Sequence, residues 1–417
     1  MKQFFTTLLL TTLSLLTVKA QDVRAVLAAV EQGNTQLRAL HETQAAEIAD
    51  REAENVLGPT SLEYSPFFHR GINGLASSEL ILSQEFDFPT LYGERRRSVA
   101  LQQNVLDLQY RTLRRDILLE ASRLCCDLIT AQKTILLVSQ RMAATDSLLS
   151  LYARRLELGH ATAIDVNRIK LDRMNLTTER AECQSTIATI HEELTRLNGG
   201  APITALSSFD ASQLALAAPD CFMLPAADPQ NLLSLPPSVL AQTGLQTDAD
   251  IVAGESLEMA TAEAALSAAR HELQLSKKSW YPTFTVGFRR NTEIREANAG
   301  FLVGVAFPLF SNGKKQKAAR LHQSAAQFEL ANACAEAESR QRRLANEARS
   351  LACTLATYDV PLMQQTLSLL LRAVYAGELS IIDYYTEAER VYGMLQQRIS
   401  TEGEYLKAIV DLNRDHL

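Results

Sequence analysis

The chain has 417 residues, 47% of them apolar and 21% charged, with a formal net charge of -7 and a mean hydropathy of -0.06. It is too rich in apolar residues for a disordered polymer. Beyond the N-terminus it lacks the runs of about 18 apolar residues that a helical membrane protein needs. The acidic balance argues against nucleic acid as a main partner.

Residues 1–20 read as an export signal. Lys2 supplies the positive start, Phe4 to Val18 is apolar with Thr and Ser interspersed, and Val18-Lys19-Ala20 ends on a small residue at the cut. No Cys follows that cut, so a lipid anchor there is not expected. The mature chain is expected to span 21–417.

Self-comparison shows one unit written twice. Phe88-Pro89-Thr90-Leu91-Tyr92-Gly93, followed by Glu94-Arg95-Arg96-Arg97, is answered by Phe307-Pro308-Leu309-Phe310-Ser311-Asn312-Gly313, followed by Lys314-Lys315-Gln316-Lys317. Leu158-Gly159-His160-Ala161-Thr162-Ala163-Ile164-Asp165 is answered by Ala376-Gly377-Glu378-Leu379-Ser380-Ile381-Ile382-Asp383. The offsets are 219 residues from 88 to 307, 218 from 159 to 377 and 218 from 165 to 383. Gly58-Pro59 answers Tyr281-Pro282 in the same order. Repeat 1 is therefore placed at about 21–198 and repeat 2 at about 249–417. Six prolines (Pro202, Pro219, Pro225, Pro229, Pro236, Pro237) mark 199–248 as an irregular linker.

Within each copy the order is helix, two strands, long helix, turn, shorter helix. Gly93 to Gly159 is apolar-periodic and free of Pro, and Gly313 to Gly377 repeats it with a kink or break at Pro361. At about 1.5 Å per residue such a segment is a rod on the order of 100 Å long, which must pack side by side as coiled coil. Four strands are expected at about 60–68, 78–88, 283–291 and 300–309. Leu80, Leu82, Gln84 and Phe86 alternate with Ile81, Ser83 and Glu85; Phe284, Val286 and Phe288 with Thr285 and Gly287; Phe301, Val303, Val305 and Phe307 with Leu302, Gly304 and Ala306. Trp280, Tyr281, Phe67, Phe68 and Tyr92 lie near strand ends, where an interfacial aromatic girdle would sit. Four strands cannot close a barrel. They form either an ordinary soluble sheet or one part of a barrel to which several chains contribute.

The paired turns carry the candidate sites. Gly159 and Gly377 can adopt positive φ and stop a helix. Thr162 and Ser380, each three residues before Asp165 or Asp383, match the start of a capped helix. Capping alone accounts for these residues. The six cysteines, Cys125, Cys126, Cys183, Cys221, Cys334 and Cys353, lack framework or C-x-x-C spacing and read as small buried residues. No enzyme is expected. His191-Glu192-Glu193-Leu194-Thr195 lacks the second His of a zinc-protease motif, and no nucleotide loop occurs. No cofactor and no metal site is read.

Taken together, the export signal, the duplicated helix–strand–strand–helix–helix order, the Phe-Pro…Gly before each rod and the Gly-x-x-x-x-x-Asp at each turn resemble the TolC family of outer-membrane efflux ducts. The resemblance covers about residues 25–415. It implies an α+β, mostly α fold: long coiled-coil helices forming a periplasmic α-barrel, with four strands per chain contributing to a trimeric twelve-strand transmembrane β-barrel. It implies a homotrimer in the Gram-negative outer membrane, in contact with its lipid, a periplasmic adaptor (membrane fusion protein) and an inner-membrane pump of RND or ABC type, serving multidrug or heavy-metal export, with metal ions, drugs, dyes and peptides all open as cargo. Leu158-Gly159 and Ala376-Gly377 match the family's small-residue docking motif at the helical tips, with Thr162, Asp165, Ser380 and Asp383 beside them. Asp383 matches an acidic position at the periplasmic entrance, with Glu387 next to the place of a further acid. Leu379 stands where the family can carry Arg, and Val374 where it can carry Tyr. The other class considered is a soluble periplasmic coiled-coil adaptor or scaffold. An adaptor is expected to carry a β-domain between symmetric helices, and the sequence has no such segment.

Overall fold

The computed structural model describes residues 23–68, 75–203, 256–293, 296–307 and 312–417. The expected signal, most of the expected linker and Cys221 lie outside them. The elements run α1 (Val23–Gly33), α2 (Thr35–Ala53), β1 (Ser61–Phe67), β2 (Ser77–Phe86), α3 (Pro89–Glu157), α4 (Ala163–Leu197), α5 (Leu257–Lys278), β3 (Thr283–Glu293), β4 (Ala297–Ala306), α6 (Asn312–Ala356), α7 (Val360–Ala376) and α8 (Ile381–Leu412). The order within each copy is the one expected. The chain divides into two compact units. The first holds the described residues up to Gln36, from Arg114 to 203 and from Ser339 to Leu417; the second holds Leu37–Leu113 and 256 to Glu338.

The first unit is all helix. Leu118, Ala121, Cys125 and Leu128 of α3 are buried at spacings of three, four and three, the seam of a coiled coil. A ladder of ion pairs joins α3 to α8 and the turn after it, running in opposite directions along the two segments. Its rungs are Arg115–Asp415 (2.9 Å), Arg123–Asp411 (2.7 Å), Asp127–Lys407 and Lys133–Glu402 (2.6 Å). Gly403 lies so close to Thr130 that a Cβ there would collide with the Thr130 hydroxyl. Within the first copy Asn34 Nδ2 donates to the Leu197 carbonyl (2.8 Å), and Gly33 leaves room for Asn198.

The second unit contains one antiparallel sheet in the order β1-β2-β3-β4. The register aligns Leu62, Leu82, Phe288 and Phe301 in one cross-strand row, Gln84, Val286 and Val303 in a second, and Phe86, Phe284 and Val305 in a third. One face is therefore mainly apolar across all four strands, with Gln84 of β2 and Arg290 of β3 as polar members. Phe301 is 90% exposed, Val303 75% and Leu62 67%. The opposite face carries Ser61, Ser83, Glu85, Thr285, Gly287 and Gly304, residues of the other parity in the same register. Strands β1 and β4 each pair on one side only.

Two expectations need correction, those for Gly93 with the end of β2 and for the cysteines. Gly93 does not open the first rod: α3 begins at Pro89 and Gly93 lies inside it. Proline lacks the N–H that a first helical residue leaves unused, so Phe88-Pro89 starts the helix, and one interior Gly costs only about 1 kcal/mol. For the same reason β2 ends at Phe86, short of 88. The second rod is broken, as Pro361 suggested: α6 ends at Ala356 and α7 starts at Val360, where Asp359 Oδ1 accepts from the Leu362 N–H (3.0 Å). Finally, the cysteines are not uniformly buried. Cys125 and Cys126 are, and burial pushes the Cys126 thiol far up, but Cys183 and Cys334 are half-buried and Cys353 is exposed. Cys353 lies on a helix face that the protomer itself leaves open.

Candidate functional site

Both hairpin turns lie in the first unit and are built by one rule. Gly159 (φ 76°) and Gly377 (φ 79°) are left-handed. The Gly159 N–H donates to Leu156 (3.0 Å) and the His160 N–H to Arg155 (2.8 Å); the Gly377 N–H donates to Val374 (3.1 Å) and the Glu378 N–H to Ala373 (2.9 Å). These bonds satisfy carbonyls that the ends of α3 and α7 would leave open. Neither glycine has a neighbour within 4 Å of where a Cβ would stand, so the glycines answer to backbone conformation and not to crowding within the protomer.

The next helices start with the expected caps. Thr162 Oγ1 accepts from the Asp165 N–H (3.2 Å), and the Asp165 carboxylate accepts from the Thr162 N–H (2.9 Å) and hydroxyl (2.7 Å). Ser380 Oγ accepts from the Asp383 N–H (3.1 Å) and donates to the Asp383 carboxylate (2.6 Å). Each carboxylate also sits at the positive end of its helix. Asp383 is thus engaged in capping, and Glu387 faces Arg390 on the surface (3.7 Å).

The two hairpins share one core. Leu148, Tyr152, Val166 and Ile169 of the first meet Val374, Ile381, Tyr384, Tyr385 and Ala388 of the second. Burial pushes the hydroxyls of Tyr384 and Tyr385 far up. Polar bonds surround this core. Asp172 accepts from Arg141 (2.9 Å) and Thr145 (3.0 Å), and the Arg141 guanidinium lies 5.3 Å from the Tyr392 ring centre. Arg155 reaches from α3 to the end of α7. Its Nη2 donates to the carbonyls of Tyr375 (3.0 Å) and Val374 (3.3 Å), while the guanidinium covers the Tyr152 ring at 5.3 Å. A cation at a helix C-terminus contributes about 0.3–1 kcal/mol.

The structure therefore brings Leu158, Gly159, Thr162, Asp165, Ala376, Gly377, Ser380 and Asp383 to two turns resting on a common core. It also adds apolar residues that capping does not explain. Ile164 is 78% exposed, Leu158 64% and Ile382 49%. Ile164 and Ile382 are 218 residues apart, the same offset as the turns, and that recurrence is the sequence signal that could have found them. Arg155 carries no such signal, because its duplicate position is Ala373. Among the described residues no group of three or more His, Cys, Asp or Glu could hold a metal ion, and no helix is long and apolar enough to cross a membrane.

Solved structures share this fold along nearly the whole chain. A membrane protein from Pseudomonas aeruginosa aligns with a TM-score of 0.73 at 15% identity, covering 95% of this chain and 90% of its own. The outer membrane protein VceC of Vibrio cholerae aligns at 0.72 and 12% identity, covering 94% and 96%. The CmeC outer membrane channel of Campylobacter jejuni aligns at 0.71 and 10% identity, covering 94% and 85%. No protein-family profile and no curated protein sequence matches the chain. The fold expected from the TolC resemblance is the fold found; the identities are those of shared architecture.

Proposed function

We propose that this chain is one protomer of a homotrimeric duct in the Gram-negative outer membrane, passively carrying substrate from a periplasmic adaptor and an inner-membrane pump to the outside. The observation that carries this reading is the sheet. Its four strands expose an apolar face and end in two unpaired edges. In water such a face is unstable, and in lipid an open edge is costlier still. Both are resolved when three copies join edge to edge into twelve strands, apolar side outward. A strand of 10 residues at about 3.3 Å per residue, tilted by about 40°, spans roughly 25 Å, the height of an outer-membrane apolar band.

The hairpin tips are the proposed docking site for the adaptor. Their glycines leave open surface, and Leu158, Ile164 and Ile382 offer apolar contacts to helices that approach closely. With Asp383 held by Ser380, the proposed entrance function of Asp383 and Glu387 rests on the field of three Asp383 carboxylates in a ring and not on a paired latch. Fractionation of expressing cells and conductance of the purified protein test the duct reading. The expected protein resists a high-salt or carbonate wash, runs as a heat-modifiable trimer and forms pores in planar bilayers. A monomer soluble without detergent refutes it.

A further inference from the structure

We propose that the end of the sheet at which strands meet helices is a binding surface for anionic phospholipid headgroups, an inference that rests on the membrane reading of the sheet. The register puts the end of β2, the start of β3 and the end of β4 side by side, with Phe86 opposite Phe284 and Thr283 opposite Ala306. Beyond that line, and beside the start of β1, lie four short segments, 50–60, 85–97, 272–281 and 312–317. They hold nine Lys and Arg against seven Asp and Glu, an excess of +2 in a chain whose total is -7.

Ion pairs occupy some of these charges. Asp87 is taken by Arg95 (2.7 Å), and Glu94 by Lys278 (2.6 Å) and His271 (3.1 Å). Asp50, Glu52, Glu54, Glu85 and Glu272 are exposed carboxylates in the same region. Arg96, Arg97, Lys277, Lys314, Lys315 and Lys317 are all exposed, and none has an ion-pair partner among the described residues. Five of them, Arg96, Arg97, Lys314, Lys315 and Lys317, stand at the starts of α3 and α6, where Leu91, Arg95 and Lys315 line one cavity, and like charges so placed favour an external anion.

The order of chemistry along the chain selects the kind of anion. Exposed apolar strand residues come first, then exposed aromatics at the strand ends, Trp280 (51%), Tyr281 (38%) and Phe307 (63%), and then the cations. Hydrocarbon, interfacial ring and charged headgroup is the sequence of layers in a bilayer leaflet. Long Lys and Arg stems can lie along the apolar boundary while their charged ends meet phosphate. A partner protein or a soluble phosphate would match the charge but not the adjoining apolar and aromatic rows.

The test uses the full-length protein purified in detergent. It is titrated with phosphatidylglycerol or phosphatidylcholine in mixed micelles, and retained lipids are counted by native mass spectrometry. Phosphatidylglycerol is expected to be retained preferentially, and the preference to shrink as NaCl rises toward 0.5 M, because screening shortens the reach of the charges. One cation near an anionic surface changes affinity by about fivefold. A variant combining Arg96→Gln, Arg97→Gln, Lys314→Gln, Lys315→Gln and Lys317→Gln should therefore weaken phosphatidylglycerol retention by roughly tenfold or more. The salt dependence of the unaltered protein gives a readout that needs no variant to fold. Equal retention of the two lipids, an unchanged preference in the variant, or equal competition by soluble glycerol phosphate overturns the proposal. Pore formation, read on the same preparations, separates the two claims. Pores without lipid preference overturn the lipid surface alone, whereas absence of pores and trimers overturns the duct reading and the lipid surface with it.

Discussion

Replacing both tip glycines by leucine separates the two roles of the turns. At Gly159 and Gly377 the backbone is left-handed, and a side chain there costs about 1–2 kcal/mol per position. No atom lies within 4 Å of either added Cβ, so no clash within the protomer is added to that strain. The sum, roughly 2–4 kcal/mol, is below a folding stability of about 5–15 kcal/mol, and the shared core of Leu148, Ile169, Val374 and Tyr384 is untouched. The Gly159→Leu, Gly377→Leu protein should therefore assemble and conduct in bilayers with the unaltered protein's single-channel conductance. Yet two bulky side chains would stand where an adaptor helix must approach, and export by cells should fall to background. Gly159→Asn with Gly377→Asn is the control, since Asn tolerates the left-handed region, and should keep most of the export. The measurements are trimer yield in the membrane fraction, conductance, and survival or efflux in cells carrying the cognate adaptor and pump. Normal export by the leucine variant refutes the docking role and leaves the turns as caps.

Further outcomes follow from the sheet, the helix seam and one carboxylate. Phe301→Lys places a charge on the apolar face of β4 and should lose about 2–4 kcal/mol of membrane stability. Leu302→Lys, on the other face, should be tolerated; equal effects in a urea titration of the trimer in lipid would contradict the assigned faces. Gly403→Ala should destabilise by about 1–3 kcal/mol through overpacking against Thr130. Thr130→Ala in the same chain should recover most of that loss, and a double-mutant cycle with no coupling would exclude the contact. The Glu94 carboxyl is held below its ordinary value by the Lys278 hydrogen bond first and by His271 second, against the opposing pull of desolvation. A depressed carboxylate stabilises the fold above its unfolded pKa, near 4.5, and that contribution is lost as pH falls through the lower folded value. Relative to Glu94→Gln, the unaltered protein should therefore lose its stability advantage in melts taken from about pH 6 down to about pH 3. A constant difference across that range would show that the ion pair contributes nothing.

What the sequence made legible was local and repeated. The period of two in Phe284, Val286 and Phe288 located β3, and the register then placed those residues on one face. The Thr162 and Ser380 caps were readable because a cap involves atoms only three residues apart. The duplication gave the order of elements, since each landmark could be checked against its copy. Contacts between the copies had no such signature. Arg155 finds its carbonyls 219 and 220 residues away, and only the side-by-side placement of the two hairpins brings them together. Gly93 misled because a glycine can end a helix or sit inside one, and Pro89 four residues earlier had already begun it. The uneven burial of the cysteines follows from helix rotation, which composition does not report.

The Arg155 tie has an evolutionary consequence. Its donor belongs to the first copy and its acceptors to the second, and the duplicated site of the donor is Ala373, which cannot reciprocate. The halves are therefore no longer interchangeable. Divergence at this position leaves two classes of tip in one chain, and a chain built from two second halves would lack the donor, since Ala373 has no guanidinium, whereas the main-chain acceptors are present in either half.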